Sequence, residues 1–368
     1  MNFEQLLKFG VDQGASAVHL QAESSPQLRI GGKIRNVEGS PLKADELRVF
    51  LESIAPKRAL ADLEKCPAIG SVFATTIGSA GRFRGTVYRF AGGLGLVLKV
   101  IPPTIRTVEE LNLPPAVKQV AAASRGLILV VGPASSGKTT TLAALVDLVN
   151  ASTYQKITTV ESPVEYLFTN KKSLITQTEV RLHSASFDQG LELALLQDVD
   201  VGVLGDLCDA ATARRALAAA ESGKKVMAAM MGLDAIQALG RLIGMIGPVD
   251  RETAVAQLAA ALEGVIALRL ANTKDGKILP AVEILRGGVN TTRSVLENRL
   301  KDLSFLMEGR QGGMQTLDQH LIELYQAGAI SGTETMRLAS NPENVAVELR
   351  TKSQASARTR HDPEGDLV

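Results

Sequence analysis

With 368 residues, 45% of them apolar, the chain can fill the cores of two domains and carry a tail besides. Its 40 basic residues nearly cancel 39 acidic ones, and a net charge of +1 argues against wrapping nucleic acid or coating an acidic membrane. Two distant cysteines, Cys66 and Cys208, read as reduced thiols of a cytosolic chain, and the scattered His19, His183, His320 and His361 outline no metal cage. Asn2, Glu4 and Gln5 stand where a signal peptide is apolar. The longest apolar candidate, Leu258 to Ala271, is broken by Glu263 and Arg269 and falls short of the roughly twenty residues a membrane span needs, so no direct membrane insertion is expected.

In chain order, residues 1–100 read as a small α+β domain. Phe3, Leu6, Leu7 and Val11 share one helical face, with Gly14 as the stop. Strands follow at Ala17–Gln21, Gln27–Ile30 and Lys33–Val37, the last two joined by Gly31 and Gly32 in a two-residue hairpin turn. Ala44–Ile54 is an amphipathic helix, and Ser71–Ile77, Arg82–Phe90 and Leu94–Ile101 are further strands. Residues 101–115 form a connector stiffened by Pro102 and Pro103. From 116 to 349, helices alternate with short apolar runs at Leu127–Val131, Ile157–Val160, Val201–Leu204, Val226–Met230 and Ile278–Leu285. That alternation implies a doubly wound α/β core with ligands at the carboxyl ends of its strands. Thr316–Ala327 is a helix with a capping-box start and a Gly328 stop, and residues 350–368 read as a disordered tail.

The chemistry concentrates at Gly132-Pro133-Ala134-Ser135-Ser136-Gly137-Lys138-Thr139, which fits the phosphate-loop pattern G-x-x-x-x-G-K-[ST] between a buried strand and a helix. Glycines let backbone N–H groups converge, the helix N-terminus adds partial positive charge, and Lys138 can reach the outer phosphates. Gly132, Ser135, Ser136, Gly137, Lys138, Thr139 and Thr140 are the candidate nucleotide-binding residues, with the Thr139 hydroxyl for Mg²⁺. ATP with Mg²⁺ is the expected ligand pair.

Several collinear stretches are similar to the type IV pilus retraction (twitching-motility) ATPases of the secretion-ATPase superfamily. Ser16-Ala17-Val18-His19-Leu20 resembles that family's S-D-L-H-L strand, and Gly81-Arg82-Phe83-Arg84 its G-R-F-R strand. Ile101-Pro102-Pro103 through Leu113-Pro114 resembles its connector, and Gly313-Met314-Gln315-Thr316-Leu317-Asp318-Gln319 its C-terminal helical motif. The resemblance covers roughly residues 1–345. It implies an N-terminal PAS-like domain, a RecA-like P-loop NTPase core with C-terminal helices, and a homo-hexamer with nucleotide between subunits. It also implies work at the cytoplasmic, inner-membrane base of a pilus machine, on a platform protein and beside a paralogous retraction ATPase. Nucleic acid is not among the implied partners.

The catalytic motifs depart from that family. Asp206, in Asp198-Val199-Asp200-Val201-Gly202-Val203-Leu204-Gly205-Asp206, stands where the family carries a catalytic glutamate and is one methylene shorter. It reads equally as a cap for the helix that follows. Glu161 and Glu165 keep the acidic box, but Ser162 replaces its aspartate and cannot act as a base at neutral pH. Met231 stands where the family's histidine box ends in histidine, and a thioether neither carries charge nor donates a hydrogen bond. Met227, Met230 and Met231 are expected in the core. Arg82 and Arg84, two apart, share a strand face; the resemblance implies contacts in trans to a neighbour's nucleotide, while a solvated sheet edge is the plain alternative. Lys99 replaces an arginine and lacks its guanidinium fork, and near the end of the core only Arg293 persists of an arginine motif.

Two functions fit. One is a retraction-class ring ATPase coupling nucleotide state to pilus disassembly, slow or partner-dependent, with Asp206, Glu161 and Glu165 catalytic. The other is a non-hydrolysing nucleotide-binding subunit that docks on an active motor. A small-molecule kinase using the same loop fits poorly, because the flanking motifs belong with the retraction family.

Overall fold

The computed structural model describes residues 2–65 and 70–359; Cys66, His361 and the tail from 360 onward lie outside the described residues. Among these the chain forms two compact units. One gathers the chain up to Ile105 with Thr159–Asn170 and Ile175–Gly190. The other holds Arg106–Thr158, Lys171–Leu174 and the chain from Leu191 onward.

The first unit carries helices α1 (Phe3–Asp12), α2 (Ala44–Ile54) and α3 (Lys57–Lys65). Its strands are β1 (Ala17–Gln21), β2 (Gln27–Ile30), β3 (Lys33–Asn36), β4 (Ser71–Ile77), β5 (Gly81–Phe90) and β6 (Gly93–Ile101). These form an antiparallel sheet in the order β3-β2-β1-β6-β5-β4. Alternation along β5 sends Phe83 and Val87 into a core with Leu7, Val18, Leu47, Phe73, Leu96 and Leu98, and leaves Arg82 and Arg84 on the opposite face. Fully burying Phe73 and Phe83 contributes about 2–3 kcal/mol each. Gly31 and Gly32 both take positive φ in the hairpin turn that pairs Ile30 with Lys33, as the dipeptide predicts.

The second unit holds α4 (Ala116–Ala121), β7 (Gly126–Gly132) and α5 (Lys138–Ser152). Next in the chain are β8 (Lys156–Glu161), β9 (Leu174–Glu179) and α6 (Phe187–Leu195), each divided between the two units; β10 (Val201–Leu204), α7 (Ala210–Glu221) and β11 (Lys225–Met231) then belong to the second. After them come α8 (Ala235–Ile246), α9 (Arg251–Ala261), β12 (Leu262–Asn272), β13 (Ile278–Arg286) and α10 (Val289–Leu296). The seven-stranded sheet runs β13-β12-β7-β11-β10-β8-β9. Its central pairs β12–β7, β7–β11 and β11–β10 are parallel, and β13 closes one edge antiparallel to β12. Every residue of β7 is buried, as its unbroken apolar run requires of a strand covered on both faces. The chain ends in α11 (Leu303–Glu308), α12 (Leu317–Gln326), α13 (Gly332–Leu338) and α14 (Pro342–Thr359). Thr316 and Gln319 make the reciprocal capping box at the start of α12.

Three boundaries differ from expectation. The first unit extends to Ile105 rather than 100 and takes in 159–170 and 175–190, which Arg58, Arg82 and Arg84 bind directly. Helix α14 continues to Thr359, ten residues into the stretch read as a disordered tail. The apolar run from Leu258 to Ala271 is two elements, with α9 ending at Ala261 and β12 beginning at Leu262.

Candidate nucleotide site

Strand β7 delivers the chain to Gly132, and α5 begins at Lys138. Between them Ser135 and Gly137 take positive φ, 61° and 93°, curling the backbone over the helix N-terminus. Gly132 is required sterically: a Cβ there would lie 2.2 Å from Ser136 Oγ and 2.8 Å from the Leu268 carbonyl oxygen. Ser136 is buried, and its Oγ has no hydrogen-bond partner among the described residues. An orphaned hydroxyl in a loop that excludes a Cβ fits a phosphate oxygen, since buried polar groups in folded chains are normally paired. Thr139 and Thr140 sit half-buried in the first turn of the fifteen-residue helix α5, where orphan N–H groups and the helix dipole favour an anion.

Lys138 turns back on its own loop. Its Nζ donates to the carbonyl oxygens of Gly132 (2.9 Å) and Pro133 (2.7 Å) and to Met231 Sδ (3.4 Å). Burial lowers its pKa, with the charge of Asp206 acting in the opposite sense. Met231 ends β11, the strand beside β7, and Asp206 follows β10, the next strand over. All three groups therefore gather at the carboxyl ends of the central parallel strands, where α/β sheets bind ligands.

Asp206 is half-buried; burial raises its pKa while Lys138 and Arg241 oppose the shift. It does not cap the following helix. Asp209 does, accepting from the Thr212 backbone N–H at 2.9 Å and the Thr212 hydroxyl at 2.8 Å, because α7 starts at Ala210, one residue after it. Met227 and Met230 are fully buried, but Met231 is 38% exposed, since it lies past the last covered position of β11 and faces the loop lysine. Arg241, on α8, was not singled out by sequence. It lies within hydrogen-bonding distance of the Met231 carbonyl oxygen (3.5 Å), and no motif marks a lone arginine ten residues on.

The acidic box lies in the first unit with the arginine pair. Arg82 Nε donates to the Glu165 carbonyl oxygen (2.6 Å) and its Nη2 to that of Val164 (2.7 Å). Arg84 Nη1 pairs with Glu165 Oε1 at 2.7 Å. Glu179 accepts from the Val164 N–H at 3.1 Å and pairs with Arg58 at 3.5 Å, pinning the same segment. The solvated-edge reading of the arginines fails, because β4 rather than β5 forms that edge and both guanidinia have partners. Glu161 accepts from Thr159 Oγ1 (2.6 Å) and Gln177 Nε2 (3.2 Å); burial outweighs these bonds and pushes its pKa up to about 7. Ser162 is exposed.

A buried parallel strand, a glycine-dependent phosphate loop with its lysine, and a carboxylate just past β10, two strands over from β7, define a P-loop nucleotide-binding protein of the RecA-like α/β type. The comparisons sharpen that class. Residues 4–353 match the type II/IV secretion system protein family, and the chain belongs to it. It is 32% identical over 345 residues to the type IV pilus retraction ATPase PilT of Pseudomonas aeruginosa, covering 94% of this chain and all of that one. It is 31% identical over 363 residues to the type IV pilus ATPase PilU of the same organism, covering 97% of this chain and 94% of the relative. Among solved structures, the pilus retraction motor PilT with bound ADP superposes with a TM-score of 0.82 at 31% identity, covering 94% of this chain and 98% of the other. The chain is a member of the pilus-retraction class of these ATPases.

Proposed function

We propose that this chain binds Mg·ATP at Gly132–Thr140 and works as a homo-hexameric ring that couples nucleotide state to pilus disassembly, with slow or partner-dependent hydrolysis. The observation that carries this reading is the contrast within one site. The phosphate loop is complete and sterically committed, while the group facing Lys138 is a thioether. In this proposal the loop N–H groups and Ser136 bind the phosphates, Lys138 exchanges its carbonyl partners for them, and Thr139 holds Mg²⁺. The metal would offset charge on the transferring phosphoryl group. Asp206 would orient water, its reach shortened by one methylene. Glu161 and Glu165 are the further proposed carboxylates, and Arg82 and Arg84 the proposed contacts in trans.

Met231 can neither sense nor neutralise developing negative charge, which supports a low intrinsic rate. The retraction ATPases among the relatives favour a motor over a non-hydrolysing subunit. No helix among the described residues is long and apolar enough to cross a membrane, so the proposed place at the cytoplasmic base of a pilus machine rests on docking to a platform protein. Steady-state ATP turnover, measured alone and with an active retraction-class relative, tests the reading against a Lys138→Ala control. Turnover above that control in either setting is expected; none in both would sink it.

A further inference from the structure

We propose that Met231 is an oxidation site through which a peroxide weakens nucleotide binding at the neighbouring phosphate loop. The inference rests on the nucleotide reading of that loop. Three observations lead to it. Among the described methionines whose burial is given, Met231 is the exposed one: Met227, Met230 and Met307 are buried, and Met245, Met314 and Met336 are half-buried. Its sulfur lies 3.4 Å from Lys138 Nζ, the cation the loop offers to phosphate. Among the described residues that ammonium has two other acceptors, both main-chain carbonyls of the same loop.

The chemistry is a two-electron transfer. The thioether sulfur attacks one oxygen of hydrogen peroxide and the O–O bond breaks. The hydrogen of the transferred oxygen ends on the departing one, giving methionine sulfoxide and water. The product differs from the thioether where it matters. A thioether is a weak acceptor, whereas the sulfoxide oxygen is a strong one. Placed beside Lys138 it holds the ammonium against the loop by a charge-assisted bond, in direct competition with phosphate oxygens. The reaction is reversible by methionine sulfoxide reductases, so the loop would act as a reversible sensor.

Cys208, the other exposed sulfur among the described residues, is a poor rival for the oxidant. Partial burial and the charges of Asp206 and Asp209 push its thiol up to about 11, leaving little thiolate at neutral pH.

The test treats the full-length chain with graded hydrogen peroxide. Site-resolved peptide mass spectrometry then follows each methionine, while binding of a fluorescent ATP analogue with Mg²⁺ is measured on the same samples. Met231 should oxidise ahead of Met245 and Met336, affinity should fall about tenfold in step with it, and reductase treatment should restore it. A Met231→Leu chain should hold its own starting affinity across the same exposure. Oxidation of Met231 without loss of affinity, or an equal loss in Met231→Leu, overturns the proposal. So does slower oxidation of Met231 than of the half-buried methionines. An untreated chain that binds no Mg·ATP would instead remove the nucleotide reading itself and this inference with it, a result separable from the others before any peroxide is added.

Discussion

Lys138 is satisfied within its own chain by two carbonyl oxygens and a sulfur, so nucleotide binding is an exchange of partners rather than the filling of a void. The carboxylate that follows β10 is where the rate should respond. Asp206 feels both Lys138 and Arg241 but is one methylene shorter than glutamate. Asp206→Glu is therefore expected to raise steady-state ATP turnover by roughly ten- to a hundredfold, and Asp206→Asn to abolish it. Away from the site, Lys225 is buried with its Nζ on the Ala121 carbonyl oxygen, and burial lowers its pKa from 10.5 to about 8. The folded state thus binds fewer protons than the unfolded one between those values. Stability should rise as pH climbs from about 8 to 10.5, and the penalty should be fully present below that window. Lys225→Met should unfold at higher denaturant at pH 7, by about 1–3 kcal/mol, and lose that pH slope.

At the scale of elements, the junction of β7 with α5 depends on Gly132. Gly132→Ala should lose about 1–3 kcal/mol in urea unfolding, because the Leu268 carbonyl is main chain and cannot step aside. It should also lose nucleotide binding. Helix α8, which carries Arg241, starts on a buried carboxyl: Glu283 accepts the Ala235 N–H at 2.7 Å, and burial pushes its pKa up to about 7. Here the folded state holds more protons, so this carboxyl's stabilising contribution is full below about 4.5 and is lost as pH rises through about 7. Glu283→Gln keeps an acceptor for Ala235 and should flatten the urea-midpoint slope across that window. The elements readable from sequence were those whose pattern matched their burial. β1, β2, β4, β10 and α2 run over the residues their periodicity predicts. β9, Leu-Ile-Thr-Gln-Thr-Glu with no fully buried position, carried no alternation to find. β12 follows α9 without a loop, so an apolar run shared by helix and strand hid the boundary. In the site, the loop was legible because its spacing is local. The Asp209 cap depends on the exact first residue of α7, while the exposed Met231 and the Arg241 contact depend on how β11 and α8 are placed, none of which spacing alone gives.

At the scale of the whole molecule, membership in the type II/IV secretion system family extends across residues 4–353, a span that includes Ser162, Asp206 and Met231. A chain that keeps its phosphate loop while altering the groups around it should separate binding from turnover. The most direct test measures Mg·ATP affinity and ATP turnover on one preparation, wild type beside Lys138→Ala. Wild-type binding should be saturable and weakened by about a hundredfold or more in Lys138→Ala, with turnover well below the roughly 1–10³ s⁻¹ usual for enzymes unless an active relative is added. Equal affinity in the two chains, or no binding in either, would contradict this expectation.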